Sequence, residues 1–271
     1  MKVAAIQMVS GIALDDNLRV ARQLLEQAAQ GGAELAVLPE YFCLMGHKDT
    51  DKLALRETAG SGVIQQFLAD TARALEMWIV GGTLPMATGT PDRVRNTTLV
   101  FDPTGACVAR YDKIHLFRFS NGAEQYDEGR VIDAGDTPVQ FDLQARSGQR
   151  WRVGLSVCYD LRFPELYRAH ARASADLLLV PSAFTHTTGH AHWEVLLRAR
   201  AVENLAYVLA PAQGGVHANG RHTWGHSMLV DPWGSIIAQR DQGAGVVAGE
   251  LDEQRLSAVR AQLPALTHRV L

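Results

Sequence analysis

Cysteine is scarce in this chain: Cys43, Cys107 and Cys158 are the only three among 271 residues. An odd count without metal-type spacing argues against a disulfide framework and points to a reduced, cytoplasmic setting. Basic excess is missing too. The formal net charge of −3 leaves no cationic field for nucleic acid, and no run of one sign forms a tail. No apolar stretch approaches the roughly 20 residues that span a bilayer, and residues 1–7 read as a strand rather than as the apolar region of a signal peptide. A glycine-rich phosphate loop is lacking, as is any low-complexity linker. With 47% hydrophobic and 20% charged residues there is ample material for one large core. Residues 1–271 are therefore expected to form a single domain that binds neither nucleic acid nor membrane, with no cofactor implied.

What is present alternates. Apolar runs of strand length at residues 3–8 and 35–38 flank a helical pattern at 16–30, with Leu18, Ala21, Leu25 and Ala28 on one face. This order is that of an α/β protein. Three stretches also echo one another. Residues 2–8 resemble 152–158, residues 33–42 resemble 175–184, and residues 98–105 resemble 228–234. The last pair are Asp-Pro-x-Gly turns between strands, a hairpin signal. Chance likeness among strands is one explanation. The repeated order favours the other: two pseudo-symmetric α/β halves, their sheets face to face and their helices outside.

In α/β sheets, ligands gather at the carboxyl ends of strands. Three chemically capable side chains are expected there. Glu40 follows the strand at 35–38, Lys113 the strand at 106–111, and Cys158 the strand at 153–157. Their counterparts in the echo are Ser182, Gln242 and Met8, none of which is reactive. One active site on a duplicated frame would leave that asymmetry. Cys158 also precedes Pro164, well placed as the first residue of a helix, so backbone N–H groups and a helix dipole are expected to favour the thiolate. A carboxylate, a thiol and an ammonium together suffice for acyl transfer, although each alone is more often a surface charge or a core residue.

The residues around these three carry a resemblance. Leu38-Pro39-Glu40, Tyr111-Asp112-Lys113-Ile114-His115-Leu116-Phe117 and Val157-Cys158-Tyr159-Asp160-Leu161-Arg162-Phe163-Pro164-Glu165 are similar, in this order, to motifs of the nitrilase superfamily of carbon–nitrogen hydrolases. The likeness runs from about residue 2 to residue 269. It implies an αββα sandwich, with Glu40 as general base, Lys113 as stabiliser of the oxyanion and Cys158 as nucleophile. It also implies supporting roles for Glu128, within residues 127–136, and for the backbone N–H of Tyr159 as part of the oxyanion hole. No metal or other cofactor is implied.

Residues 181–185 and 188–204 resemble the amidase branch, shared by deaminated glutathione amidases and omega-amidases. Gln213, Gly215, His217, Arg221, Gly225, His226 and Ser227 match the first type more closely, while Gly214, Val216 and residues 218–220 depart from it. The expected substrate is a small keto-acid amide, with Phe184, Thr185, Gln213 and His217 as substrate-binding candidates. Deaminated glutathione and α-ketoglutaramate share an acyl part and differ in leaving group, cysteinylglycine against ammonia. The larger one needs a wider mouth and a cation for the glycine carboxylate. His47 and Lys48, in a segment that departs from the usual pattern, are either carboxylate contacts in a lid or part of an ordinary surface loop.

Other readings compete. His186, His190 and His192, with His217, His222 and His226, invite a metal, but no cysteine or carboxylate completes a structural-zinc set. Gly154-Leu155-Ser156-Val157-Cys158 half-matches a serine-hydrolase elbow but lacks the final glycine, and Ser156 would face away from its strand neighbours. A catalytically dead binding relative would ordinarily have lost one of the three reactive groups. Arg198, Arg200, Glu203 and Asn204 are expected to pair on a helix, in the core or at an interface, rather than to bind substrate. Members resembling this chain are dimers or larger, so a homodimer or larger homo-oligomer is expected, with the helix around Trp193 as interface material.

Overall fold

A parallel strand is hidden on both faces, so it needs apolar residues at successive positions and a helix to cover it. Both requirements are met twice. The computed structural model describes residues 1–120, 122 and 125–270. The first half runs β1 (Lys2–Gln7), α1 (Leu14–Gln30), β2 (Leu35–Val37), α2 (Asp51–Ala54), α3 (Val63–Leu75), β3 (Trp78–Val80), β4 (Leu84–Ala87), β5 (Val94–Phe101) and β6 (Cys107–Asp112). A hairpin of β7 (Arg118–Ser120) and β8 (Gln125–Asp127) follows, and then β9 (Gln140–Gln144). The second half contains β10 (Arg150–Leu155), α4 (Pro164–Arg172), β11 (Leu177–Leu179), α5 (His186–Asn204), β12 (Tyr207–Ala210), β13 (Gly214–Val216), β14 (His222–Trp224), β15 (Ser227–Val230), β16 (Ile236–Arg240), β17 (Gly245–Glu250) and α6 (Glu253–Gln262).

Two large sheets form, ordered β17-β1-β2-β3-β5-β4 with β6 beside β5, and β16-β15-β12-β11-β10-β9, and β7-β8 and β13-β14 stand apart as two-stranded ribbons. Alternation along β1 sends Val3 and Ala5 into the core between the sheets and Ala4 and Ile6 under the helices. Leu18, Ala21, Leu25 and Ala28 of α1 are buried, as their spacing predicts. Sheets inside and helices outside make the expected αββα sandwich.

The echo between the halves holds residue by residue. Val3 lies opposite Leu35 in one sheet and Val153 opposite Leu177 in the other. Ile79 faces Phe101 as Val208 faces Val230, and Thr98 faces Tyr111 as Ser227 faces Arg240. Both hairpin turns close the same way. Asp102 Oδ1 accepts from the amides of Thr104 and Ala106, and Asp231 Oδ1 from those of Trp233 and Ser235. Gly105 and Gly234 take the left-handed φ of 82° and 87° that these turns need.

The sequence did not reveal one feature. The last strand of each half joins the sheet of the other: β9 pairs with β10, and β17 pairs with β1, both antiparallel. The halves are interlocked as well as stacked.

Candidate active site

Glu40 leaves β2 through Pro39, and Tyr41 follows in the left-handed region at φ 57°. The return from β3 crosses this point so closely that a Cβ at Gly82 would lie 2.1 Å from the carbonyl oxygen of Pro39. Glycine there is a packing requirement. Glu40 is 1% exposed. Its Oε1 accepts from Lys113 Nζ (2.8 Å) and Asn96 Nδ2 (2.9 Å), and its Oε2 from the amide of Ala183 (3.0 Å). The two halves therefore meet at this carboxylate.

Lys113, at the end of β6, is fully buried. Its Nζ also contacts Glu128 Oε1 (3.0 Å) and Oε2 (2.8 Å). Glu128 is held by Tyr41 OH (2.6 Å) and the amide of Phe117 (2.7 Å). Burial alone would lower the lysine pKa, but the Glu128 and Glu40 charges outweigh it and hold Lys113 above its ordinary value. For Glu128 burial pushes upward, and the Lys113 charge and hydrogen bonds pull its carboxyl below the usual range. An ammonium thus sits locked between two carboxylates. When one N–H is shared by both Glu128 oxygens, a third is left without a partner among the described residues.

Cys158 is buried and opens a single 3-10 turn, Cys158–Arg162, at φ 50°. A non-glycine residue in that region is strained and must be held by its surroundings. Asp160, fully buried, supplies the hold: its carboxylate accepts from the amide of Val157 (2.8 Å), Tyr111 OH (2.7 Å) and the amide of His115 (3.0 Å). This ties the cysteine turn to the chain bearing Lys113. The expectation of a dipole-stabilised thiolate is corrected here. Burial first, and the Glu40 charge second, push the thiol well above its ordinary pKa. One short turn cannot offset both, so Cys158 rests as a thiol.

A cavity opens beside these groups, lined by Glu40, Phe117, Glu128, Cys158, Tyr159, Arg162, Ala183, Phe184, Thr185, Thr188 and Arg221, with Lys113 behind its wall. The Arg162 guanidinium lies 5.8 Å and 5.5 Å from the ring centres of Tyr159 and Phe184, and its Nη1 is 3.2 Å from His192 Nδ1. Neither Arg162 nor Arg221 pairs with a carboxylate among the described residues.

The family model for carbon–nitrogen hydrolases matches residues 2–261. The chain belongs to this family. Among curated proteins, the carbon–nitrogen hydrolase is 42% identical to a deaminated glutathione amidase of Synechocystis over 98% of this chain and 97% of that one. Of solved structures, the NitFhit protein of C. elegans superposes with a TM-score of 0.87 at 34% identity, over 99% of this chain and 65% of that one. Nit3 of Saccharomyces cerevisiae, a member of branch 10 of the nitrilase superfamily, gives 0.85 at 30% identity, over 97% and 94%.

The substrate-binding candidates divide within this carbon–nitrogen hydrolase. Phe184 and Thr185 line the cavity, and Thr185 also caps α5 by accepting from the amide of Thr188. Gln213 and His217 do not line it. Gln213 accepts from the amide of Ser10 (3.0 Å) and donates to Ser10 Oγ (2.8 Å) and the Glu40 carbonyl (3.1 Å). Both ring nitrogens of His217 are engaged, by the Ser10 carbonyl and Thr223 Oγ1, each at 2.8 Å. Their polar atoms are consumed by the scaffold. His47 and Lys48 are exposed and are not among the residues lining the cavity. That segment instead places Lys52 Nζ 4.9 Å from the Tyr41 ring centre, where burial lowers the lysine pKa.

The histidines are dispersed as ring contacts. His186, His190 and His226 pack on Trp224, and His222 stacks on His186. Ser156 bonds to Tyr167 OH and the Leu179 carbonyl. Arg200 pairs with Glu203 in the core. Asn96, Tyr41, Asp160, Arg162 and Arg221 had no assigned part in the sequence reading. Only Asp160 and Arg162, inside the cysteine motif, and Arg221, in the 213–227 pattern, carried any signal.

Proposed function

We propose that this carbon–nitrogen hydrolase is a thiol-dependent amidase acting on a small keto-acid amide, with deaminated glutathione as the substrate, releasing 2-oxoglutarate and cysteinylglycine. One observation carries the reading: a buried Glu40–Lys113–Glu128 network lies beside Cys158 at a cavity whose wall holds two guanidinium groups with no carboxylate partner among the described residues. Such a wall suits a substrate that brings two carboxylates, as deaminated glutathione does. The name of the Synechocystis relative, deaminated glutathione amidase, supports the same substrate.

In this scheme Glu40 is the general base, Lys113 the oxyanion stabiliser and Cys158 the nucleophile, with Glu128 positioning Lys113. The Cys158 thiol passes its proton to Glu40 as sulfur adds to the amide carbonyl carbon. The oxyanion is held by Lys113 Nζ and the backbone N–H of Tyr159. Glu40 returns the proton to the departing amine, the C–N bond breaks and a thioester remains. Glu40 then takes a proton from water, whose oxygen adds to the thioester carbon. Collapse expels the cysteine sulfur, which regains its proton, and the keto acid leaves. Because the resting thiol is held neutral, its deprotonation is coupled to substrate entry.

The proposal extends to a single domain over 1–271, a cytoplasmic setting and a homodimer or larger assembly. The three unpaired cysteines favour a reducing compartment. Exposed Val195 and Val202 on α5, with Trp233 and Ile237, offer an apolar face for a second copy. Among the described residues no helix is long and apolar enough to cross a membrane.

The deciding experiment compares kcat/KM for deaminated glutathione and α-ketoglutaramate on one preparation, with Cys158→Ala as control. A preference for α-ketoglutaramate overturns the substrate and leaves the chemistry standing. Amine release by Cys158→Ala overturns the chemistry.

A further inference from the structure

Two guanidinium groups line the cavity, and neither has all its N–H groups satisfied among the described residues. Arg221 has five donors. Its Nη2 donates to the Ala183 carbonyl at 3.3 Å, its Nη1 reaches only the Met45 sulfur at 3.8 Å, and its Nε is buried with no partner among the described residues. The contrast is with an arginine that the fold uses fully. Arg260 donates to the Leu205 and Ala175 carbonyls and to Asp176 at 3.0, 2.7 and 2.8 Å. A half-buried guanidinium, with its carbon 5.0 Å from the Tyr126 ring centre and its Nε enclosed, is held in place yet has no carboxylate partner among the described residues. That combination suits a fork-shaped anion such as a carboxylate.

Position decides which carboxylate. A leaving nitrogen protonated by Glu40 must lie on the Glu40 side of the cysteine. The chain leaving Glu40 runs through Tyr41 to Met45 and Gly46, and Asn219 ties the Arg221 hairpin to it through the Met45 and Gly46 carbonyls. The Arg221 charge acts on Tyr41 and on Lys52, a second cation on this flank. Arg162 belongs to the opposite flank, in the cysteine turn itself, between Tyr159 and Phe184.

We propose that Arg221 binds the terminal carboxylate of the leaving group, so that it sets the preference for a peptide-like amine over ammonia. This rests on the substrate reading above. Arg162 is left for the carboxylate on the acyl side.

The test is a cycle between Arg221 and the substrate carboxylate. Deaminated glutathione and its analogue with the glycine carboxylate capped as an amide are compared on wild type, Arg221→Gln and Arg221→Lys. Wild type is expected to favour the free acid by about tenfold or more in kcat/KM, since a paired charge is worth at least that. In Arg221→Gln this ratio falls to near one, the change lying in KM rather than kcat. Arg221→Lys restores part of it. Should Arg221→Gln fail to fold, the ratio in Arg221→Lys decides alone, and a ratio equal to wild type overturns the assignment. So does an unchanged ratio in Arg221→Gln, because a purely structural arginine weakens both substrates alike. If wild type cleaves neither compound while still hydrolysing α-ketoglutaramate, the substrate reading itself has failed, a result distinguishable from loss of the Arg221 assignment alone.

Discussion

Replacing Gln213 by alanine separates two roles that its place in the sequence leaves joined. As a substrate contact, its loss would raise KM and leave the fold intact. The structure puts it inside the scaffold, 0% exposed, with its amide bridging Ser10 and the Glu40 carbonyl. Alanine there strands the Ser10 amide and removes one partner of the Glu40 carbonyl, while Ser10 Oγ keeps its bond to the Phe42 carbonyl. Buried backbone groups left without partners cost about 1–3 kcal/mol each, so two cost about 4 kcal/mol. At roughly 2–4 °C per kcal/mol for a chain of this size, Tm should fall by about 10 °C. Because the freed carbonyl belongs to the proposed base, kcat should fall by about tenfold with KM within about twofold. Differential scanning fluorimetry and steady-state kinetics on the same sample check both. An unchanged Tm with a tenfold higher KM would refute the scaffold role.

Further expectations follow from the buried charges and thiols. Tyr41→Phe removes the 2.6 Å bond to Glu128, and kcat should drop by roughly fivefold to tenfold without loss of fold. Lys113→Met leaves Glu40 and Glu128 facing each other unbalanced. Urea unfolding should show a loss of about 3–5 kcal/mol, and turnover should vanish. Burial pushes the Cys43 thiol to about 12 from 9.0, so the folded chain keeps a proton that the unfolded chain releases. The stability from this thiol is complete below pH 9 and is lost as pH rises toward 12. Between pH 8 and 10.5 this amounts to about 2 kcal/mol, and Cys43→Ser should lose that much less than wild type in urea titrations. Glu40→Gln removes the second-largest push on the Cys158 thiol, so iodoacetamide should label Cys158 faster than in wild type, with the rate at exposed Cys107 unchanged; equal rates at Cys158 would remove the Glu40 charge as a cause of its raised pKa.

Much of the frame was legible because strands carry their own register. The echoed runs align Val3 with Val153 and Phe101 with Val230, and each member holds the equivalent place in its own sheet, opposite Leu35, Leu177, Ile79 and Val208 respectively. The gathering of Glu40, Lys113 and Glu128 was legible from motifs. The direction of side chains off irregular backbone was not. Gln213 and His217 sit one and three residues from Gly214, and nothing local says that they turn toward Ser10. Asn96 looks like any residue of a buried strand until the fold brings Glu40 beside it. The thiol's ionisation depends on burial and on a carboxylate from the other half, which no local reading of a helix start can supply. Strand exchange between halves is a tertiary choice, and the hydrophobic pattern of β9 and β17 is the same whichever sheet receives them.

That exchange also sets a timetable. Lys2 pairs with Glu250, and the Met1 amine bonds the Leu251 carbonyl at 2.9 Å, so β1 is completed by a strand made much later. At about 5–20 residues per second, β1 emerges from the ribosome roughly 12–50 s before β17 exists. During that interval one edge of the growing sheet is open, a template for wrong pairing. The nascent chain should therefore depend on protection of that edge, and a message truncated before β17 should yield an aggregating product with most of its residues already made.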